Sequence, residues 1–348
     1  MTWLDIEHLS IDNAITVADA LSKNTKIVEV KFSNTNNEVL SLILDVVKTH
    51  PTITSVHISD LELGISSTIF ICDILKCNKN IITFRMSNLE LSVEDAKLIS
   101  EALASNNTLI ELSLDSNLIT SDSMRYFADV LCTNDSIKTV HVADNGMLPD
   151  TFGYFGDVLI CNSTLETLDL SVNDAGERDI KKIADALQHN TNLKTLSLSS
   201  SNVNYFDDLI RSLKNNNTLK KLTLHQLPSF SYIYKHKKPQ KSPSIFGDVL
   251  KYNQSIEYLC LMCDITNTDA VDIAEGIVTN KTLTFLEFER LLENSFEIIV
   301  DALEHNNTIT ALNTGTTAGT CHQGVYQRMR DLISRNQSIS QSSDMHHH

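Results

Sequence analysis

Ser113, His141 and Asp169 follow one another at 28-residue intervals. On neighbouring strands of a parallel sheet they would lie about 4.8 Å apart, in the spatial order that a nucleophile, its base and the base's orienting carboxylate require. Acyl transfer also needs backbone amides aimed at the developing oxyanion. No sharp turn precedes Ser113 to supply them, and amides inside a sheet are spent on the ladder. The three residues are therefore read as an ordinary polar ladder, with a Ser113 hydrolase as the least favoured function. Cys260-x-x-Cys263, with His225 one strand away, would gather three soft ligands for zinc, but no second cysteine pair completes a structural site. Cys72, Cys77, Cys132 and Cys161 fall in helices or at helix ends, where cysteine serves as a small apolar residue. Phosphate-binding loops and HExxH sequences are missing.

These residues are placed by an internal repeat. The phrase Asn-x-Thr-Leu-x-x-Leu-x-Leu recurs, with its first apolar anchor at Ile27, Ile53, Ile81, Leu109, Ile137, Leu165, Leu193, Leu219, Ile256, Leu283 and Ile309. Successive anchors are 26 to 28 residues apart, apart from one step of 37. In Leu165, Leu168 and Leu170 the alternation is that of a half-buried strand. Ahead of each strand runs a helical pattern such as residues 95–103, opened by Ser92 with Asp95 three residues later as a capping signal.

Three residues before the anchor stands Asn24, Asn78, Asn106, Asn134, Asn162, Asn190, Asn216, Asn253, Asn280 or Asn306; only His50, followed by Pro51, breaks the series. Asparagine tolerates the left-handed conformation that closes a helix, so these positions are expected to be left-handed helix exits. Several are also Asn-x-Ser/Thr sequons, which are read as turn chemistry and not as glycosylation sites.

The chain resembles leucine-rich-repeat proteins of the ribonuclease-inhibitor type, whose 28-residue units carry a full helix, from about Asn13 to Asn336. The loop asparagine of that family, eight residues after the anchor, is matched at Asn117, Asn145 and Asn173 only. The resemblance implies an α/β solenoid, a horseshoe of about eleven repeats with parallel strands on the concave face and helices on the convex face. It also implies a protein-binding scaffold. The Asn-, Ile- and Thr-rich wording is closest to the repeat effectors of intracellular bacteria, and an inhibitor or adaptor role is the related reading. A regulator of a small GTPase is the alternative, although the acidic tail of Ran GTPase-activating proteins is not matched.

The residues two, four and six after each anchor should face outward on the concave sheet. That places Lys31, His57 and Arg85 on the first strands, Glu111, Asp115 and Asp169 at the centre, and Tyr258, Cys260, Met262, Phe285 and Glu287 near the end. Exposed aromatics and Met make the last group the expected partner-binding anchor. Beside it the long step inserts residues 228–243, in which Tyr232, Tyr234, Lys235, Lys237 and Lys238 would meet a partner. Asp115 and Asp169 complete the expected partner-binding set.

With 28 Lys and Arg against 44 Asp and Glu, a net charge of −16 disfavours nucleic acid. The partner is expected to be another protein, with no cofactor, metal, small-molecule substrate or membrane insertion. Residues 1–341 are read as one solenoid domain, with caps at 1–26 and 313–341; the tail 342–348, ending in three histidines, has the look of a tag remnant. Acidic residues at Asp5, Glu7, Asp12 and Asp19 leave no secretory signal. Seven unpaired-looking cysteines suit a reducing compartment, either the cytoplasm or a host cytosol reached by another route.

Overall fold

The computed structural model describes residues 2–147, 149–227, 246–263, 265–289, 291–315 and 323–344. The chain forms two compact units, Met1–Asn173 and Asp174–His348. Both are built from one strand and one helix in strict alternation.

The first unit runs β1 (Trp3–Glu7), α1 (Ile11–Ser22), β2 (Glu29–Ser33), α2 (Asn37–Val47), β3 (Ser55–Ser59), α3 (Ile65–Cys77) and β4 (Thr83–Ser87). It continues with α4 (Val93–Leu103), β5 (Glu111–Ser113), α5 (Ser121–Leu131), β6 (Thr139–His141), α6 (Gly153–Cys161) and β7 (Thr167–Leu170). The second unit comprises α7 (Glu177–Leu187), β8 (Thr195–Ser200), α8 (Phe206–Ser212), β9 (Lys221–Gln226), α9 (Phe246–Tyr252) and β10 (Tyr258–Met262). It ends with α10 (Asn267–Thr279), β11 (Phe285–Phe288), α11 (Glu293–Leu303), β12 (Ala311–Asn313) and α12 (Gln323–Asp344).

Within each unit every strand pairs in parallel with the next in chain order. The leucine-rich-repeat architecture expected from the repeat is thus observed in both units. Residues 1–26 supply a strand and a helix of their own, since β1 pairs with β2 from Trp3↔Glu29 to Glu7↔Ser33. The long step leaves register intact: Tyr258 stands opposite Lys221, and Met262 opposite His225.

Burial follows the repeat phrase. Leu165, Leu168 and Leu170, like Leu193, Leu196 and Leu198, are at most 1% exposed. Wider gaps are filled by aromatic rings, among them Phe84, Phe127, Phe155, Phe206 and Phe296. The helices begin where their caps say. Ser92 accepts from the Asp95 amide, and the Asp95 carboxylate returns a bond to the Ser92 amide; Thr266 and Asp269 repeat the arrangement. α9 and α10 touch backbone to backbone. A Cβ on Gly247 would come within 2.0 Å of the Asp272 carbonyl oxygen, and one on Gly276 within 2.7 Å of that of Gly247.

The helix-exit asparagines are not left-handed, which corrects the sequence reading. Asn78, Asn162 and Asn280 have φ of −75°, −89° and −70° with ψ near 130°, which is extended backbone. Their side chains do the work instead. Asn162 Oδ1 accepts from the Thr164 and Leu165 amides at 2.8 and 2.7 Å, and its Nδ2 donates to the Leu131 and Asn134 carbonyls of the preceding repeat at 2.7 and 3.2 Å. Asn134, Asn216, Asn253, Asn280 and Asn306 make the same four bonds. Even His50 imitates them: its Nε2 lies 3.0 Å from the Leu21 carbonyl oxygen, and its Nδ1 accepts from the Thr52 amide. The sequon asparagines are thus buried and occupied as turn elements, from Asn306 at 0% to Asn162 at 6% exposed.

Left-handed backbone occurs at the strand exits instead. Asn34, Asp60, Asn88, Ser116, Asp144 and Val172 all have φ between 45° and 57°. Each stands seven residues after its anchor. Next to three of them the loop asparagines form a second ladder: the Leu89 amide donates to Asn117 Oδ1, the Asn117 amide to Asn145 Oδ1, and the Asn145 amide to Asn173 Oδ1, at 2.9 to 3.0 Å.

At the far end one tetrapeptide adopts two structures. Asn253-Gln254-Ser255-Ile256 leaves α9 and turns into β10, whereas Asn336-Gln337-Ser338-Ile339 continues as helix inside α12. In α12 the Arg335 guanidinium donates to Asn336 Oδ1 and to the Leu303 and Asn306 carbonyls, while Asn336 Nδ2 still donates to the Asn306 and Ile309 carbonyls.

The cysteines also depart from expectation. Cys132 and Cys161, read as small apolar residues, are joined in a disulfide with Cα atoms 5.2 Å apart. Their helices end one repeat apart, so the solenoid brings the two positions side by side. Cys72, Cys260 and Cys263 are buried thiols, and Cys77 is an exposed one.

Two outcomes test this account. Replacing Asn162 by Ala, Val or Gly should cost about 2–4 kcal/mol in each case, measured by urea unfolding, because all three lose the same buried hydrogen bonds; rescue by Gly would point back to a left-handed exit. Val172→Asn should raise the melting temperature, by the equivalent of about 1 kcal/mol, because a β-branched residue is strained at φ 57°.

Candidate functional site

The strand register sets two groups of side chains on the open faces of the sheets. In the first unit Lys31, His57, Arg85, Ser113, His141 and Asp169 stand directly opposite one another in sequence. A recess of about 430 Å3 lies over this column, lined by His57, Arg85, Ser87, Glu111, Ser113, Asp115 and His141. Arg85 closes on Glu111 at 2.7 Å.

The catalytic arrangement does not assemble. Ser113 Oγ donates to Asp115 at 2.9 Å, along its own strand, and no hydrogen bond joins it to His141. Asp115 also accepts from the Ala143 amide at 2.7 Å. His141 faces Asp169, with Nδ1 3.7 Å from Oδ2. The nearby Asp169 carboxylate, aided by the charge of Asp115, holds the His141 imidazole above its ordinary pKa. His57 moves the other way, since burial and then the Arg85 charge disfavour its cation, while its Nε2 bonds Ser87 Oγ at 3.1 Å.

In the second unit the expected aromatic cluster is present. Tyr258 and Phe285 stack with ring centres 4.5 Å apart and planes 15° apart, and Lys221 Nζ stands 4.8 Å above the Tyr258 ring. Tyr258 donates its hydroxyl proton to Glu287 at 2.7 Å, and Asn313 Nδ2 donates to the other Glu287 oxygen at 2.7 Å. Burial, followed by that bond to Glu287, pushes the phenol pKa up. Tyr258, Phe285, Met262 and Glu287 are all half-buried, so part of each is offered to the open face.

Cys260, expected on that surface, is only 2% exposed, and burial pushes its thiol up to about 12. It stands opposite Glu287 in the sheet, two residues after Tyr258 on the same strand. Tyr232, Tyr234, Lys235, Lys237 and Lys238 lie outside the described residues. Asp115 and Asp169 belong to the first unit and the aromatic cluster to the second. Sequence reasoning did not name Lys221 and Asn313 as site residues, although both stand in the outward columns beside Tyr258 and Glu287; the alternation of facing was the available signal.

Among the described residues, no three His, Cys, Asp or Glu side chains gather to hold a metal ion. No helix there is long and apolar enough to cross a membrane.

The electrostatics of the first unit lead to one test. In an NMR titration His141 should titrate above the ordinary 6.5 and His57 below it, and Asp169→Asn should bring His141 down. A raised histidine pKa stabilises the fold fully below the unfolded value. The contribution of His141 should therefore fade as pH rises from about 6.5 through its raised folded value.

No protein-family model matches the sequence, and neither does any curated protein. Among solved structures, the chain is similar to the leucine-rich repeat-containing protein LegL7 from Legionella pneumophila, with a TM-score of 0.54 and 13% identity over 96% of this chain and 97% of that one. The yeast Rad7 and Elc1 complex matches with a TM-score of 0.48 and 16% identity, over 92% of this chain and 78% of that one. Leiomodin-1 actin-binding site 2 matches at 0.32 and 17%, over 49% of this chain and 80% of that one. Together with the repeated strand–helix units and their parallel register, the likeness to the Legionella protein establishes that this chain has the leucine-rich-repeat fold.

Proposed function

We propose that the chain is a protein-interaction scaffold, acting as an adaptor, inhibitor or effector, that grips a protein partner through the open strand face of its second unit. The observation that carries this reading is the Tyr258–Phe285 stack. Two half-exposed aromatic rings, fixed by Lys221 above and by the Glu287–Asn313 pair beside them, form a rigid amphipathic anchor. Rigid aromatics lose little rotamer freedom on binding and bury a large area, and so they dominate interface energetics. Their backbone is locked in a parallel sheet, which keeps the anchor in place before a partner arrives.

The recess of the first unit adds the polar component. Asp115, which lines it, is already engaged with Ser113 and the Ala143 amide, and Asp169, on the strand beyond His141, faces that imidazole. They would tune selectivity more than affinity.

A quantitative pull-down from eukaryotic lysate tests the reading, with Tyr258→Ser/Phe285→Ser compared with wild type after circular dichroism shows that both are folded. A partner retained by wild type should be lost or weakened at least 30-fold, as expected for removal of two anchors worth about 2 kcal/mol or more together. Equal retention by both would place the binding surface elsewhere.

A further inference from the structure

The cysteine pair of the first unit carries an inference of its own. Cys132 follows the last residue of α5, and Cys161 is the last residue of α6. Their disulfide has a sequence separation of 29 and encloses β6 with His141. Cys161 is exposed and Cys132 half-buried. A small thiol can thus reach the bond without unfolding of the core, unlike a disulfide shut inside it.

Breaking the bond would not let the two positions drift apart. Asn162, next to Cys161, donates to the carbonyls of Leu131 and Asn134, which bracket Cys132. This ladder rung holds the reduced thiols side by side, ready to close again. The bond also spans a helix pair whose second member needs support: α6 has only nine residues and begins without a side-chain cap. The other described thiols are poor competitors. Cys72, Cys260 and Cys263 are buried, and Cys77 is exposed but has no cysteine recorded beside it.

We propose that Cys132 and Cys161 are a reversible redox site, exchanged by a small disulfide of the glutathione class. In oxidation the Cys161 thiolate attacks one sulfur of glutathione disulfide, forming a mixed disulfide and releasing one glutathione thiolate. The Cys132 thiolate then attacks the Cys161 sulfur of that mixed disulfide, and the second glutathione leaves. Two protein thiols become one disulfide while one glutathione disulfide becomes two thiols, with the protein's two protons passing to solvent or to the released thiolates. Reduction is the reverse, beginning with attack on the exposed Cys161 sulfur. Such a site fits a reducing compartment, where disulfides are usually transient or sensing. In the oxidised state it clamps the repeat that carries His141.

The test equilibrates the full chain in glutathione buffers from fully reducing to fully oxidising, followed by acid quench, alkylation and peptide mass spectrometry. The Cys132–Cys161 fraction should vary with the square of the glutathione thiol concentration over the glutathione disulfide concentration, as a two-electron couple requires, with its midpoint inside the buffer range. The oxidised form should melt roughly 5 °C higher, a gain absent in Cys132→Ala and in Cys161→Ala. Hydrogen exchange in residues 153–161 should slow on oxidation. A bond that persists in every buffer, never forms, or gives way to glutathione adducts on Cys161 alone would overturn the proposal. So would an oxidised form that melts with the reduced one.

Discussion

An asparagine side chain at a helix exit holds four backbone groups at once, two in its own turn and two in the repeat before it. The amides it accepts from are those that the turn leaves without partners, and the carbonyls it donates to are one near the end of the preceding helix and that of the exit residue before it. Buried backbone groups without partners are costly, and a solenoid creates such a set at every repeat. Where they recur at fixed spacing, asparagine solves the problem at all the anchors but Ile53, and the recorded rungs tie a repeat to its predecessor. The cohesion of such an array is a sum of these nearest-neighbour terms. His50 shows that the requirement is chemical, since an imidazole with one nitrogen facing each way serves the same turn.

Once the exits are tied, the strands fall into register and the outward columns follow without further instruction. Leu259 and Leu261 are fully buried while Tyr258 and Met262 are half-exposed, because alternation leaves no other choice. The aromatic pair is therefore held in place by core packing: its backbone is fixed by the leucines beneath it. The recess in the first unit arises in the same way, from polar side chains that successive strands bring opposite one another. Its charges are mutually satisfied, with Arg85 on Glu111, Ser113 on Asp115 and His141 on Asp169. That pattern suits a surface that selects a partner, whereas a nucleophile would need its base close by.

The left-handed positions show where the strain lies. Asn, Asp, Ser and, after β1, His8 occupy six of the seven strand exits with positive φ, and these polar residues tolerate that region better than a β-branched one. Val172 is the β-branched one, and it sits at the last such exit of the first unit, one residue before the unit ends at Asn173. Beyond it, in the second unit, Gly315 is the one described residue recorded with positive φ.

The repeat length, the strand and helix of each unit and the buried leucines were legible in the amino-acid sequence, because they depend on local periodicity and on apolar residues that must leave water. The importance of the helix-exit asparagine was legible as well, but its mechanism was not: half of its hydrogen bonds go to carbonyls that only stacking brings near. The same reason hid the disulfide, whose cysteines are 29 residues apart and meet through the solenoid. It also hid the burial of Cys260, and the two structures of Asn-Gln-Ser-Ile, which is a turn ahead of β10 but helical inside α12. Local pattern determined which elements form and which way they face. The choice of partner for each polar group was decided by tertiary contact, because it depends on what the neighbouring repeat presents.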